Sequence, residues 1–182
     1  HARSTLSAHD HVVFELSSGA RIVFNDPRRF GMMDLVPRRG LEESRHFKEM
    51  GIEPLGNELS GRTIATLFRD RVAPLKAMLL DQHRIAGIGN IYACEAMWRA
   101  RLSPTLPAGR LAAATPAARR KAEALAAAIR AVLEEAIVAG GSSLRDHRQA
   151  TGELGMFQHN FAVYDREGEA CSRHGCKGII RR

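Results

Sequence analysis

Hydrophobic and polar residues alternate between His11 and Asp26, with Val12, Phe14 and Leu16 before Ser17-Ser18-Gly19 and Ile22 and Phe24 after it. A period of two around a short polar turn predicts a β-hairpin with one buried face. Met32 to Val36 is apolar enough to add a third strand, making a small sheet that needs a further layer to pack on. Residues 38–59 then mix proline, glycine and charge around one short helical run, the texture of a linker between domains. Helical spacing dominates from there. Ser60 is placed to cap a helix carrying Ile64, Leu67, Phe68 and Val72, and Pro74 suits the first turn of the next, with Leu75, Met78 and Leu79 inward. Asn90 is placed to cap a third helix running to about Arg101. Thr115-Pro116 opens the longest, whose Ala122, Leu125, Ala126, Ile129, Val132, Leu133 and Ala136 hold one apolar stripe until Gly140-Gly141. Phe161 to Tyr164 reads as a short strand, and Asp165 to Gly168 turns the chain toward Cys171.

Charge sharpens this picture. The 182 residues carry 27 Lys and Arg against 20 Asp and Glu, a formal net charge of +7 that favours a polyanionic partner without defining one. The most apolar stretch, Ala122 to Ala139, is interrupted by Arg130, Glu134 and Glu135, which excludes a membrane-spanning helix there. No secretory signal opens the chain. Three cysteines, only two of them close together, make no disulfide framework and fit a reducing cytosol. The longest helix has Arg119, Arg120 and Lys121 in its first turns and Glu134 and Glu135 in its last, both against the helix dipole.

Three segments carry candidate chemistry. In Ile85-Ala86-Gly87-Ile88-Gly89-Asn90, two residues without Cβ let backbone N–H groups approach a ligand where a helix begins, which suits an anion such as a phosphate; an ordinary helix–helix turn would use the same glycines. Arg71 and Lys76, upstream, are within reach of the same anion. In Asp26-Pro27-Arg28-Arg29-Phe30-Gly31, a guanidinium fork and a phenyl ring share one turn after a strand. Such a pair can fill the hole left by an extruded base and wedge the neighbouring step; the plainer alternative buries Phe30 and pairs Arg28 with Asp26. Cys171 and Cys176 have knuckle-like spacing for half of a tetrahedral zinc site, with His174 between them. Cys94 reads as a small buried apolar residue.

Read together, these segments closely resemble the bacterial formamidopyrimidine-DNA glycosylases, base-excision-repair enzymes that remove 8-oxoguanine and ring-opened purines. The resemblance runs in order through His9-Asp10-His11-Val12, the Asp26 to Gly31 loop, Gly51-Ile52-Glu53-Pro54-Leu55, a helix-two-turn-helix from Leu75 to Glu95, Gly140-Gly141-Ser142-Ser143-Leu144-Arg145-Asp146, and Tyr164 through Cys176. The Arg28-Arg29-Phe30 loop is closer to this family than to endonuclease VIII. The resemblance implies that Arg28 pairs with the cytosine opposite the lesion and that Phe30 buckles the adjacent step. It implies DNA contacts near the lesion for His9, Arg71, Lys76 and Asn90, with Asn90 and the Gly89 amide holding a phosphate and Tyr164 a further phosphate contact. It makes the loop from Gln149 to Met156 a lid over the flipped base.

The family's N-terminal proline nucleophile, its adjacent glutamate and a helper lysine match no position in these 182 residues. A second cysteine pair and an inserting arginine are likewise unmatched. The sequence therefore reads as the central and C-terminal part of such an enzyme, an α+β chain. It comprises a partial β-sandwich remnant (residues 1–37), a linker (38–59), an all-helical helix-two-turn-helix DNA-binding domain (60–155) and a truncated β-hairpin zinc finger (156–182). The intact protein is expected to be a DNA glycosylase and abasic-site lyase, monomeric and cytoplasmic, with one structural zinc ion and damaged duplex DNA as partner. The 182-residue chain alone is expected to bind DNA without turnover, with Cys171 and Cys176 giving the metal incomplete coordination. The alternative is a non-catalytic DNA-binding module of the same fold.

Overall fold

A computed structural model of the chain describes residues 6–143 and 154–182. It divides into two compact units, His1–Ser44 and Arg45–Arg182.

The first unit is built on an antiparallel hairpin of β1 (Asp10–Glu15) and β2 (Arg21–Asn25), with Val12 opposite Phe24 and Phe14 opposite Ile22. Gly19, at φ +79°, makes the turn, and the Leu16 N–H donates to the Ala20 carbonyl across it. The alternation is present, but the buried face is not. Val12, Phe14, Leu16 and Ile22 remain 38–56% exposed, because no second layer covers them among the described residues. Met32 to Val36 forms no strand either: it makes no ladder to the hairpin.

The second unit is helical: α1 (Gly61–Leu67), α2 (Leu75–Leu80), α3 (Asn90–Arg99) and α4 (Pro116–Val138), with 3-10 turns at Ala108–Ala112 and Phe157–Asn160. The Ser60 and Thr115 side chains accept the Thr63 and Ala118 N–H groups, capping α1 and α4, each worth about 1 kcal/mol. At the far end of α4, the Gly141 N–H donates to Ala136 and the Gly140 N–H to Ile137, with both glycines at positive φ, the paired bonds of a Schellman stop. The α4 stripe packs as its spacing predicts, with Leu125, Ile129 and Val132 at 0–2% exposure beside Ile64, Phe68, Leu79 and Ile88. Val72 does not join the core. α1 stops at Leu67 and Asp70 turns to φ +58°, which leaves Val72 89% exposed.

Much of the expected linker packs with this unit. The Gly51 and Ile52 N–H groups donate to the Gln82 and Arg84 carbonyls, and Leu59 is buried. Arg130, on α4, donates through Nη1 to the Leu55 carbonyl and through Nη2 to Gly56, both at 2.9 Å. The charge that breaks the apolar run of α4 thus holds this segment down. Glu135, in the last turns of the same helix, forms a bidentate pair with Arg99 of α3 at 2.5 and 2.6 Å, which offsets its unfavourable place on the helix dipole. Among the described residues no helix is long and apolar enough to cross a membrane.

Candidate nucleic-acid interface

In the first unit, the loop after β2 is organised by Asp26. Its carboxylate accepts the Gly31 N–H at 2.6 Å, and that bond, with further backbone donors along the loop, holds the carboxyl below its ordinary value of 3.8. A Cβ at Gly31 would meet the Phe24 ring at 2.8 Å, so the chain has to be bare there to fold back. The turn is tight enough to put Arg29 at φ +56°. Phe30 is 79% exposed, and the Arg28 guanidinium lies over its ring, 4.6 Å from the centroid. The alternative of a buried Phe30 with Arg28 paired to Asp26 is not what forms. A cation and an aromatic stand together in solvent, while the carboxylate serves the backbone. His9 is exposed in the same unit, its carbonyl accepting the Asp26 N–H.

In the second unit, the turns between α2 and α3 are built by Gln82. Its Oε1 accepts the Gly87 N–H and its Nε2 donates to the Ile88 carbonyl, while its own carbonyl accepts from Gly51. Gly87 needs its φ of +78°. Gly89 is different: its φ is −98° and an added Cβ would meet nothing within 4 Å. Among the described residues nothing requires glycine there. Gly89, rather than Asn90, is the N-cap of α3 and supplies no side-chain cap, so no capping side chain takes the first N–H groups of this ten-residue helix.

Lys76 of α2, Asn90 of α3 and Tyr164 line one cavity of about 490 Å³, which Cys171, Cys176 and Arg181 also line. The fold therefore gathers three of the sequence-predicted contact residues from three separate segments. Arg71 does not line it; its carbonyl accepts the Gly109 N–H and its side chain is exposed. Arg145, Asp146 and most of the lid from Gln149 to Met156 lie outside the described residues.

The segment Phe161–Tyr164 is not a strand. Its Ala162, Val163 and Tyr164 N–H groups all donate to the Glu95 carboxylate, each at 2.9 Å. Beyond it, residues 168–180 fold into a hairpin through an Ala170–Ile179 bridge and a Cys171 N–H to Gly178 carbonyl bond. Arg173 donates to the Trp98 carbonyl and stacks on the Trp98 ring at 4.8 Å, docking this hairpin on α3. The Trp98 indole N–H lies against the Cys171 sulfur without a regular hydrogen bond. With the Arg173 amide it holds that thiol below its ordinary value of 9.0. The Gly178 N–H faces Cys176 Sγ at 3.4 Å. Two thiols placed among N–H donors suit half of a zinc site. Among the described residues no third cysteine, histidine or carboxylate joins them, and His174 is exposed.

Sequence reasoning missed Gln82 and Glu95. Gln82 left no signal, since a glutamine in a loop is ordinary. Glu95 left a faint one: an acid five residues into a helix whose neighbours Ala93, Ala96 and Met97 are apolar.

The family described as Formamidopyrimidine-DNA glycosylase H2TH domain matches residues 50–148. The formamidopyrimidine-DNA glycosylase of Methylobacterium nodulans is 61% identical over 174 residues, covering 96% of this chain and 59% of that protein. That of Rhodopseudomonas palustris is 56% identical over all 182 residues, which span 62% of its length. The chain thus spans about three-fifths of the curated relatives it matches. Among solved structures, the MutM (Fpg) protein of Thermus thermophilus superposes with a TM-score of 0.84 at 39% identity, covering 99% of this chain and 65% of that one. Lactococcus lactis Fpg, solved in complex with DNA containing an abasic site, gives 0.81 at 28% identity over 97% of this chain and 62% of its own.

Proposed function

This chain belongs to the formamidopyrimidine-DNA glycosylase family, and from that premise we propose that its protein is a base-excision-repair enzyme of the bacterial cytoplasm. It excises oxidised purines, 8-oxoguanine and formamidopyrimidines, from duplex DNA and cleaves the resulting abasic site. The described residues supply the grip. Arg28 enters the duplex and bonds the orphaned cytosine, Phe30 wedges the adjacent step, and His9 and Arg71 add contacts to the strand. Gly89, Asn90, Lys76 and Tyr164 clamp backbone phosphate. The first unit is part of a β-sandwich, and Cys171 and Cys176 are two of four ligands to one structural zinc, whose chemistry is to brace the hairpin. The nucleophile of the family, an N-terminal proline amine, matches no position in this sequence, so the covalent step is assigned to no residue here.

The observation that carries the reading is the glycine at 89, which neither space nor φ requires, at the open start of α3 beside a cavity shared by Lys76, Asn90 and Tyr164. The experiment is a titration of full-length monomeric protein with duplexes bearing 8-oxoguanine, an abasic site or no lesion, followed by borohydride trapping. Preferential binding and a trapped adduct on the lesion duplexes are expected. Equal affinity for all three with no adduct would leave only the non-catalytic module.

A further inference from the structure

Glu95 is the one buried charged residue of the described chain, at 0% exposure. Removing a carboxylate from water is strongly unfavourable unless its oxygens are hydrogen-bonded. Arg99, one turn on, feels its charge but gives its guanidinium to Glu135. Compensation comes instead from the three consecutive backbone N–H groups of Ala162, Val163 and Tyr164. Successive N–H groups converging on one anion form a concave nest, a conformation incompatible with a strand ladder. The carboxylate thus sets the backbone leading into Tyr164. Edge-on contact with Phe161, at 5.4 Å between centroids, sets the Tyr164 ring.

Glu95 and Asn90 stand on the same helix, about 7.5 Å apart along its axis. One end of α3 carries Asn90, which lines the cavity. A turn and a half later, the same helix fixes the loop whose Tyr164 faces the same cavity. We propose that Glu95 is a positioning residue of the phosphate clamp: it pins the Ala162–Tyr164 turn to α3 so that Tyr164 and Asn90 close on one backbone phosphate. This rests on the DNA-binding reading above. Lys76 reaches the cavity from α2, so its contribution is independent of the pinned turn.

The test is a binding cycle in the full-length protein on an abasic-site duplex, with Glu95→Gln, Tyr164→Phe, Lys76→Ala and the two double variants that contain Glu95→Gln. Glutamine keeps the shape but turns an NH₂ toward one of the three donors. Glu95→Gln and Tyr164→Phe are each expected to weaken binding by roughly tenfold, and their double variant no further, while Glu95→Gln and Lys76→Ala multiply. A purely structural role for Glu95 would treat the two partners alike. Wild-type binding by Glu95→Gln, or effects of Glu95→Gln and Tyr164→Phe that multiply, overturns the proposal. Absence of duplex binding by the wild type, or an unaffected Tyr164→Phe, overturns the DNA reading of the cavity itself, and this inference with it. Should Glu95→Gln not fold, amide exchange in the wild type decides. Protection of the 162–164 amides comparable to the α3 core supports the pin, and exchange at loop rates overturns it.

Discussion

Gly89 offers the sharpest single-residue experiment, because an added methyl meets only open space and the backbone there suits any residue. Gly89→Ala is therefore expected to leave the melting temperature unchanged while reducing affinity for every duplex by about tenfold, read by anisotropy alongside calorimetry. A matching fall in stability would return the glycine to a packing role. Arg28 should act differently. Its side chain stands in solvent over Phe30 and ties no other element down among the described residues, so Arg28→Ala should cost little stability and chiefly erode the preference for cytosine opposite the lesion, measured by comparing the four opposing bases. Uniform weakening would contradict the assigned role.

Among the elements, those whose burial follows a local period were legible in advance. The stripe of α4, its threonine cap and its paired-glycine stop all rest on residues within a few positions of one another. What was not legible depends on distant partners. Phe161 to Tyr164 has the composition of a strand, yet its N–H groups are taken by a carboxylate 67–69 residues away. Residues 38–59 look like a linker until Arg130, 71–75 residues on, bonds the carbonyls of Leu55, Gly56 and Leu59. Removing those bonds should be expensive: Arg130→Met is expected to destabilise the helical unit by roughly 2 kcal/mol in denaturant titration, since the apolar stem remains while the Leu55 and Gly56 carbonyls lose charged donors. The Arg99–Glu135 pair makes a smaller, pH-dependent tie between α3 and α4. Arg99 holds the Glu135 carboxyl below its ordinary value of 4.5. The pair's contribution, about 1 kcal/mol at most for a half-exposed contact, is thus complete above that value and fades as pH falls through the depressed one. Arg99→Ala should accordingly flatten the loss of stability as pH falls below the ordinary carboxyl value of 4.5, relative to the wild type.

Across the whole molecule, the proposed contacts draw on both units, with His9, Arg28 and Phe30 in the first and the phosphate clamp in the second. The order of motifs showed the family before any coordinate did, whereas the cavity that collects Lys76, Asn90 and Tyr164 could not be read from residues separated by up to 88 positions. If about five phosphates are neutralised, log K should fall against log salt with a slope near −4.5, and Lys76→Ala or Arg71→Ala should each reduce that slope by about one. An unchanged slope in either variant would remove that residue from the set of phosphate contacts.

The long ties through Glu95 and Arg130 bear also on how the chain reaches this state. Closing loops of some 70 residues carries an entropy cost that is met only once both ends are in place, so these contacts are expected to form late on the folding route. During synthesis, α1 to α3 emerge well before the residues that Glu95 will hold. Until Tyr164 leaves the ribosome, the Glu95 carboxylate lacks the three amides that satisfy it in the finished fold, so a half-made chain carries the charge of its own future core still in need of water.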